Sequence, residues 1–230
     1  MMRTSTINYV CLSTAIMYRE GGMVMLQAII FDVDGTILDT EQAILQSLQR
    51  TLREETAKEY ALDELRFALG IPGKDTLQQL NVDNIETVHQ KWSTAVLDFS
   101  QEVSVFPKLE AVIQSLASKP IQLGIVTSKT RQEVTDEFDP FGLSNYFTHI
   151  ISASDTEQHK PHPEPLLACL ELLQVAPENA IYIGDSVYDL QCAKQAGAKF
   201  ALALWGAKTT KGYEEADYVL QEPKDILTII

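Results

Sequence analysis

The stretch IIFDVDGT places Asp32 and Asp34 immediately beyond an apolar run, with Gly35 and Thr36 directly after. Three more polar clusters stand at or just past similar runs. They are Thr127-Ser128-Lys129 after IQLGIV, Lys160 within HKPHPEP, and Asp185 and Asp189 within GDSVYD. Carboxylates at the end of a buried strand are costly unless something pairs with them. A hard, oxygen-preferring cation holds several carboxylates at a range where they would otherwise repel, and Mg²⁺ is the natural candidate. Zinc fits less well, because no His or Cys sits at ligand spacing here. With its charge screened in this way, a carboxylate can attack an anionic phosphoryl group and form an acyl phosphate. The Thr127 hydroxyl, nearby backbone N–H groups and the Lys160 ammonium are suited to neutralising the phosphoryl oxygens.

These residues need a scaffold that brings four distant segments to one place. Runs fit for strands occur at 26–31, 121–127, 149–154, 180–184, 200–205 and 216–220. Their near-continuous apolarity indicates strands covered on both faces, as in a parallel sheet. Between them lie helical stripes, Leu109, Val112, Ile113 and Leu116 in one and Leu166, Leu167, Leu170 and Leu173 in another. Alternation of this kind predicts a doubly wound α/β domain, in which ligands bind beyond the carboxyl ends of the strands. From Glu41 to Gln101 the alternation stops. Ile44, Leu45, Leu48 and Leu52 form a helical stripe, further helices are expected near 63–69, 76–80 and 85–99, and GIPG at 70–73 punctuates the middle. The expected organisation is a core of residues 25–40 and 103–230 with a helical-bundle cap of residues 41–102 inserted after the first strand.

The chain has 230 residues and a net charge of −14, which repels nucleic-acid backbones and anionic lipid. Neither nucleic acid nor membrane is therefore an expected partner, and no run reaches the ~20 apolar residues of a membrane-spanning helix. Cys11, Cys169 and Cys192 show neither disulfide nor metal spacing and suit a reducing, cytoplasmic setting. Residues 1–24 lack a proper signal-peptide pattern, and Met23 and Met25 stand just before the first strand. That segment is expected to be an extension outside the fold, disordered or mis-assigned at its start. Sequence leaves the oligomeric state open between monomer and dimer.

FDVDGTILDT, IVTSK, KPHPEP and IGDSVYD, in this order and at these spacings, resemble the four signature motifs of the haloacid dehalogenase superfamily. The resemblance runs from about Leu26 to Ala207 and includes a small helical cap between the first two motifs. It implies a Rossmann-like core and a Mg²⁺-dependent hydrolase acting on a small phosphorylated metabolite. By position, Asp32 resembles the aspartyl nucleophile, Asp34 the general acid and base, Thr127 the phosphoryl-binding hydroxyl and Lys160 the charge-balancing lysine. Asp185 resembles the metal-ligating acid, assisted by Asp189, with Asp32 and the Asp34 backbone carbonyl completing the shell. The family's true dehalogenases lack an acid at the position of Asp34, and its phosphoryl-transfer members have one. Thr36 resembles the phosphatases, where the related sugar-phosphate mutases carry Val. Those mutases also place a phosphate-gripping Arg where Gly73 stands, with Lys74 beside it. The nearest group is the phosphoglycolate phosphatase-like and pyrophosphatase-like one. Substrate contacts are expected from Thr36, Ser128, Lys129, Gly73 and Lys74.

Plainer roles are available for several of these residues. Thr127 and Ser128 suit the cap of a helix starting near Lys129, and Asp185 and Ser186 suit the cap of the helix that follows them. His89, His149, His159 and His162 are expected to be surface or packing residues, and Trp92, Val96 and Phe99 cap core. The expected function is hydrolysis of a small phosphate ester, phosphoglycolate-like or a sugar or nucleoside phosphate. The alternatives are an inorganic pyrophosphatase, a β-phosphoglucomutase-like mutase, or a non-catalytic Mg²⁺/phosphate-sensing module.

Overall fold

The computed structural model describes residues 26–230; the expectation for residues 1–24, and Cys11 with it, lies outside them. The chain opens with β1 (Ala28–Phe31) and β2 (Leu38–Asp39), followed by helices α1 (Glu41–Thr56), α2 (Gly73–Gln79) and α3 (Ile85–Leu97). A short 3₁₀ helix, Leu62–Ala68, lies between α1 and α2. Next come β3 (Ser104–Val105), α4 (Leu109–Ala117), β4 (Gln122–Val126), α5 (Arg131–Glu133) and β5 (His149–Ile151). The chain finishes with α6 (Glu164–Leu173), β6 (Ala180–Gly184), α7 (Val187–Ala196), β7 (Lys199–Ala203), α8 (Leu204–Ala207) and β8 (Tyr218–Leu220).

Six strands form one parallel sheet in the order β5-β4-β1-β6-β7-β8. The chain winds outward from β1 to β5, returns to the other side of β1 and winds outward again. Strand order thus reverses between β1 and β6, where a doubly wound sheet opens a crevice at its carboxyl edge. Period-two alternation loads both faces of β1. Ile29 and Phe31 pack with Val112, Ile113 and Leu116 of α4 on one side, while Ala28 and Ile30 pack with Leu166, Leu170 and Leu173 of α6 on the other. Leu167, expected in that second stripe, is 41% exposed, because the contact face of α6 is narrower than the leucine run.

Residues 41–102 form a separate apolar cluster centred on Leu45, Leu48, Leu52, Leu65, Leu77, Trp92 and Val96. The Trp92 indole N–H donates to Ser47 Oγ at 3.0 Å, so its polar edge is satisfied inside that cluster. Phe99 lies outside the cluster, under the Arg50 guanidinium at 5.0 Å. The chain leaves and rejoins the core through β2 and β3, which pair antiparallel as Leu38–Val105 and Asp39–Ser104. The strand reading did not anticipate this two-stranded ladder; pairs of two residues are too short to show periodicity.

Candidate active site

Asp32 follows β1 directly, and its backbone N–H donates to the Ile183 carbonyl at 2.9 Å, continuing the ladder one residue past the strand. Gly35, at φ +74°, turns the chain sharply back. A side chain there would force the site apart, since its Cβ would lie 2.1 Å from an Asp185 carboxylate oxygen, which would have to shift. Thr36 Oγ1 donates to Asp185 Oδ1 at 3.1 Å, and the Trp205 indole N–H donates to the Thr36 carbonyl at 3.0 Å. The Asp185 carbonyl accepts from the Tyr213 hydroxyl at 2.5 Å. Thus the first and last polar clusters are locked to each other across the β1/β6 crevice.

Lys160 is buried, with its ammonium 3.0 Å from Asp32 Oδ1 and 2.7 Å from Asp189 Oδ1. Asp189 is fully buried, and its oxygens are occupied. Oδ1 also accepts from the Tyr182 hydroxyl at 3.0 Å, and Oδ2 accepts from Ser186 N–H at 3.0 Å and Ser186 Oγ at 2.6 Å. Ser186 caps α7 in return, its Oγ accepting from Asp189 N–H. Asp32 differs: its Oδ1 has the lysine charge nearby but no well-directed hydrogen bond. Burial, with Asp189 and Asp34 adding to it and Lys160 opposing, raises Asp32 from 3.8 to about 7. Burial, with Asp189 and Asp32, also raises Asp185 well above the carboxylate range.

Oxygen atoms of Asp32, Asp185 and Asp189 lie within 4.8 Å of one another. The donor set is purely carboxylate, and one of its buried oxygens is unpartnered. It fits a hard divalent cation and offers nothing to attract a soft one. Asp34 is not part of this side-chain group. Its carboxylate turns toward the cap, 3.1 Å from Lys129 Nζ.

Thr127 and Lys129 are buried at the end of β4, where Thr127 Oγ1 accepts from Lys129 N–H at 3.2 Å. Neither Thr127 nor Ser128 caps the next helix. Thr130 does, in a reciprocal capping box with Glu133, which frees the two earlier hydroxyls. Ser128 Oγ donates to the Gly70 carbonyl at 3.0 Å, joining core to cap. Besides Asp34, Lys129 Nζ meets Glu137 at 2.6 Å, and these two carboxylates, against burial, hold it protonated. Gly73 lines the cavity between cap and core, where a Cβ would strike the His89 ring at 2.5 Å. Lys74 points away: it is exposed and paired with Glu86 at 2.8 Å. Asp189 and Lys160 meet as a pair, whereas Lys74 stands apart from all the other expected residues.

That cavity has about 60 Å³ of free space and is bordered by Asp32, Asp34, Ser128 and Lys129 below and by Gly70, Ile71, His89 and Trp92 above. His89, read from sequence as surface or packing, is buried on the cavity wall, 3.4 Å from Glu133. Glu133 also accepts from Ser93 Oγ at 2.6 Å. Sequence reasoning passed over Glu133 and Glu137. The Thr130-x-x-Glu133 pattern marks Glu133 as a helix-start residue, but nothing in the sequence points it toward α3. A second cavity of about 300 Å³ touches Asp34, Asp185 and Tyr188 but not Asp32.

A family model described as haloacid dehalogenase-like hydrolase matches residues 29–203. Pyrophosphatase PpaX of Anoxybacillus flavithermus is 30% identical, over 89% of this chain and 97% of its own length. PpaX of Bacillus mycoides is likewise 30% identical, at the same coverage. Among solved structures, a "putative phosphoglycolate phosphatase" from Lactobacillus plantarum superposes with a TM-score of 0.81 at 28% identity, covering 90% of this chain and all (100%) of that one. CbbY from Rhodobacter sphaeroides shares the fold, with a TM-score of 0.77 at 22% identity, covering 88% of this chain and 96% of its own.

Proposed function

The chain belongs to the haloacid dehalogenase-like hydrolases, and from that footing we propose a magnesium-dependent phosphatase that cleaves a small phosphate monoester through an acyl phosphate on Asp32. One observation carries the reading: the buried Asp32 oxygen that Lys160 approaches but does not satisfy, facing Asp185 across the strand-order reversal. Asp32, Asp185 and the backbone carbonyl of Asp34 would hold Mg²⁺, which would screen the attacking carboxylate from the phosphoryl charge.

In the first step Asp32 Oδ attacks phosphorus. Asp34, whose carboxyl borders the cavity, protonates the departing alkoxide. Thr127 Oγ1, neighbouring N–H groups and Lys160 bind the phosphoryl oxygens as charge spreads over them. Asp34 then deprotonates a water that hydrolyses the acyl phosphate and restores Asp32. Asp189 acts as a positioning residue that fixes the Lys160 ammonium and anchors the turn bearing Asp185. Residues 41–102 serve as the cap, and the Ser128–Gly70 contact is one of the bonds that closure makes. The free buried thiols Cys169 and Cys192 support a cytoplasmic setting, and among the described residues no helix is long and apolar enough to cross a membrane.

Phosphate release from a panel of small phosphate esters, with Mg²⁺ and with chelator, tests the reading. Magnesium-dependent turnover is expected, with solvent ¹⁸O entering the released phosphate and a borohydride-reducible acyl phosphate trapped on Asp32 when the reaction is quenched. Turnover with no trappable acyl phosphate on Asp32, undiminished in Asp32→Asn, would overturn the mechanism. A second reading, an inorganic pyrophosphatase, is favoured by the names of the PpaX relatives. It requires diphosphate to outrun every monoester in the same panel.

A further inference from the structure

A phosphatase is defined chemically by what leaves as well as by the phosphoryl group it holds. The leaving group must sit opposite Asp32 and within reach of Asp34, and the cavity between cap and core is bordered by both. Its free space of about 60 Å³ compares with the ~10–15 Å³ that one water occupies on the same measure, so it admits only a few non-hydrogen atoms.

The charges on its wall are unevenly matched. Lys129 is the lysine of the lining, and its ammonium is engaged by Asp34 at 3.1 Å and Glu137 at 2.6 Å. Two carboxylates thus face this one ammonium, and Glu137 is the nearer. Glu133 is a further carboxylate on the wall, with the His89 imidazole 3.4 Å from it as its neighbour. Although burial opposes it, hydrogen bonds from Ser93 and Thr130 and the nearby Lys129 hold its carboxyl below the ordinary glutamate range. No other lysine or arginine is free to help from the neighbouring surfaces described here. Lys74 is tied to Glu86, and Arg66 and Lys208 both pair with Glu41 beside the second cavity, which does not reach Asp32. Much of the remaining wall is Ile44, Ile71, Trp92 and Val96, which offers an anion nothing. A carboxylate or a second phosphate placed here would be stripped of water next to like charge, which is strongly unfavourable.

Building on the phosphatase reading, we propose that the cavity selects its substrate by charge: the leaving alcohol is small and neutral or amine-bearing, and Glu137 enforces this by neutralising Lys129. Asp32, 2% exposed, borders the same cavity, so the attacking carboxylate and the charged wall face one space. On this reading phosphoglycolate and diphosphate are poor substrates, despite the names of the relatives.

Three nearly isosteric esters isolate the charge: phosphoglycolate, 2-hydroxyethyl phosphate and O-phosphoethanolamine. The expected kcat/KM for phosphoglycolate is about 10-fold or more below that for the hydroxyethyl ester, with phosphoethanolamine at or above it. Glu137→Gln unmasks the Lys129 charge and should raise the phosphoglycolate-to-hydroxyethyl ratio about 10-fold. Because the readout is a ratio, a general loss of activity does not blur it; Glu133→Gln, expected to shift the ratio the same way, serves if Glu137→Gln fails to fold. Charge selection is overturned if phosphoglycolate or diphosphate matches the neutral ester in the wild type, or if neither variant moves the ratio. Hydrolysis of all three esters at equal rates would end charge selection and leave the phosphatase standing. No release from any of them would end both.

Discussion

The Lys160 ammonium stands 3.0 Å from Asp32 Oδ1 in a place where both side chains are 2% exposed. A second carboxylate, Asp189, lies on its other side at 2.7 Å. The lysine thus balances negative charge that water cannot reach. Removing one member of such a group leaves uncompensated buried charge, which typically costs about 3–5 kcal/mol. Lys160→Met keeps most of the side-chain volume and should lower stability by about that amount in denaturant unfolding, together with loss of turnover. Unchanged stability would mean that Asp32 and Asp189 do not both depend on this ammonium.

Asp32→Asn should behave in the opposite way for stability. Burial raises the folded-state value of Asp32 to about 7, above the 3.8 of an ordinary aspartate. A raised acid stabilises the fold fully below its unfolded value and loses that contribution as pH rises through the folded one. The metal-free protein should therefore weaken between about pH 4 and pH 8, by roughly 2–4 kcal/mol from this group. Asp185 shifts in the same direction. Asp32→Asn should flatten that slope, match or exceed the wild type in thermal stability near pH 8 with chelator present, and release no phosphate. Added Mg²⁺ should raise the wild-type melting temperature more near pH 8 than near pH 5. A wild type that gains stability across that pH range without metal would contradict the burial argument.

Much of this site can be read from sequence because strand ends impose it. Asp32, Thr127 and Asp185 each follow an apolar run, and a doubly wound sheet brings such ends to one edge. Gly35 was readable as part of a turn, but the reason for it, the Asp185 carboxylate 2.1 Å from where its Cβ would be, belongs to tertiary structure. The cap side was less legible. Lys74 looked like a candidate because it adjoins Gly73, yet the start of α2 turns the two residues to different sides, one to the cavity and one to solvent. His89 and Glu133 are far apart in the chain and meet only because α3 packs over α5. No periodicity within either segment encodes that contact.

The thiols yield a simple chemical check. Burial pushes both Cys169 and Cys192 up to about 12, Cys192 with a smaller opposing effect from Lys160. A thiolate is the reactive form, so neither should react with an alkylating reagent in the native protein at neutral pH. Peptide-level mass spectrometry after a short native labelling should find both unmodified, and both modified once the chain is denatured. Fast native labelling of Cys169 would show that α6 does not stay packed against β4.

Gly35→Ala tests whether the turn after Asp34 can be altered without losing the site. The residue has φ +74°, which L side chains adopt at a cost of about 1 kcal/mol, and the added methyl would overlap Asp185. Overpacking of this kind adds about 1–3 kcal/mol when neighbours must move. The neighbour here is the Asp185 carboxylate, held by Thr36 Oγ1 at 3.1 Å, so it cannot withdraw without breaking that bond. The expected result is a fold weakened by about 2–4 kcal/mol and a loss of Mg²⁺-dependent thermal stabilisation greater than the loss of fold alone explains. Isothermal titration of Mg²⁺ into the folded variant separates the two effects. Binding as tight as in the wild type would show that Asp185 is not needed where this structure puts it.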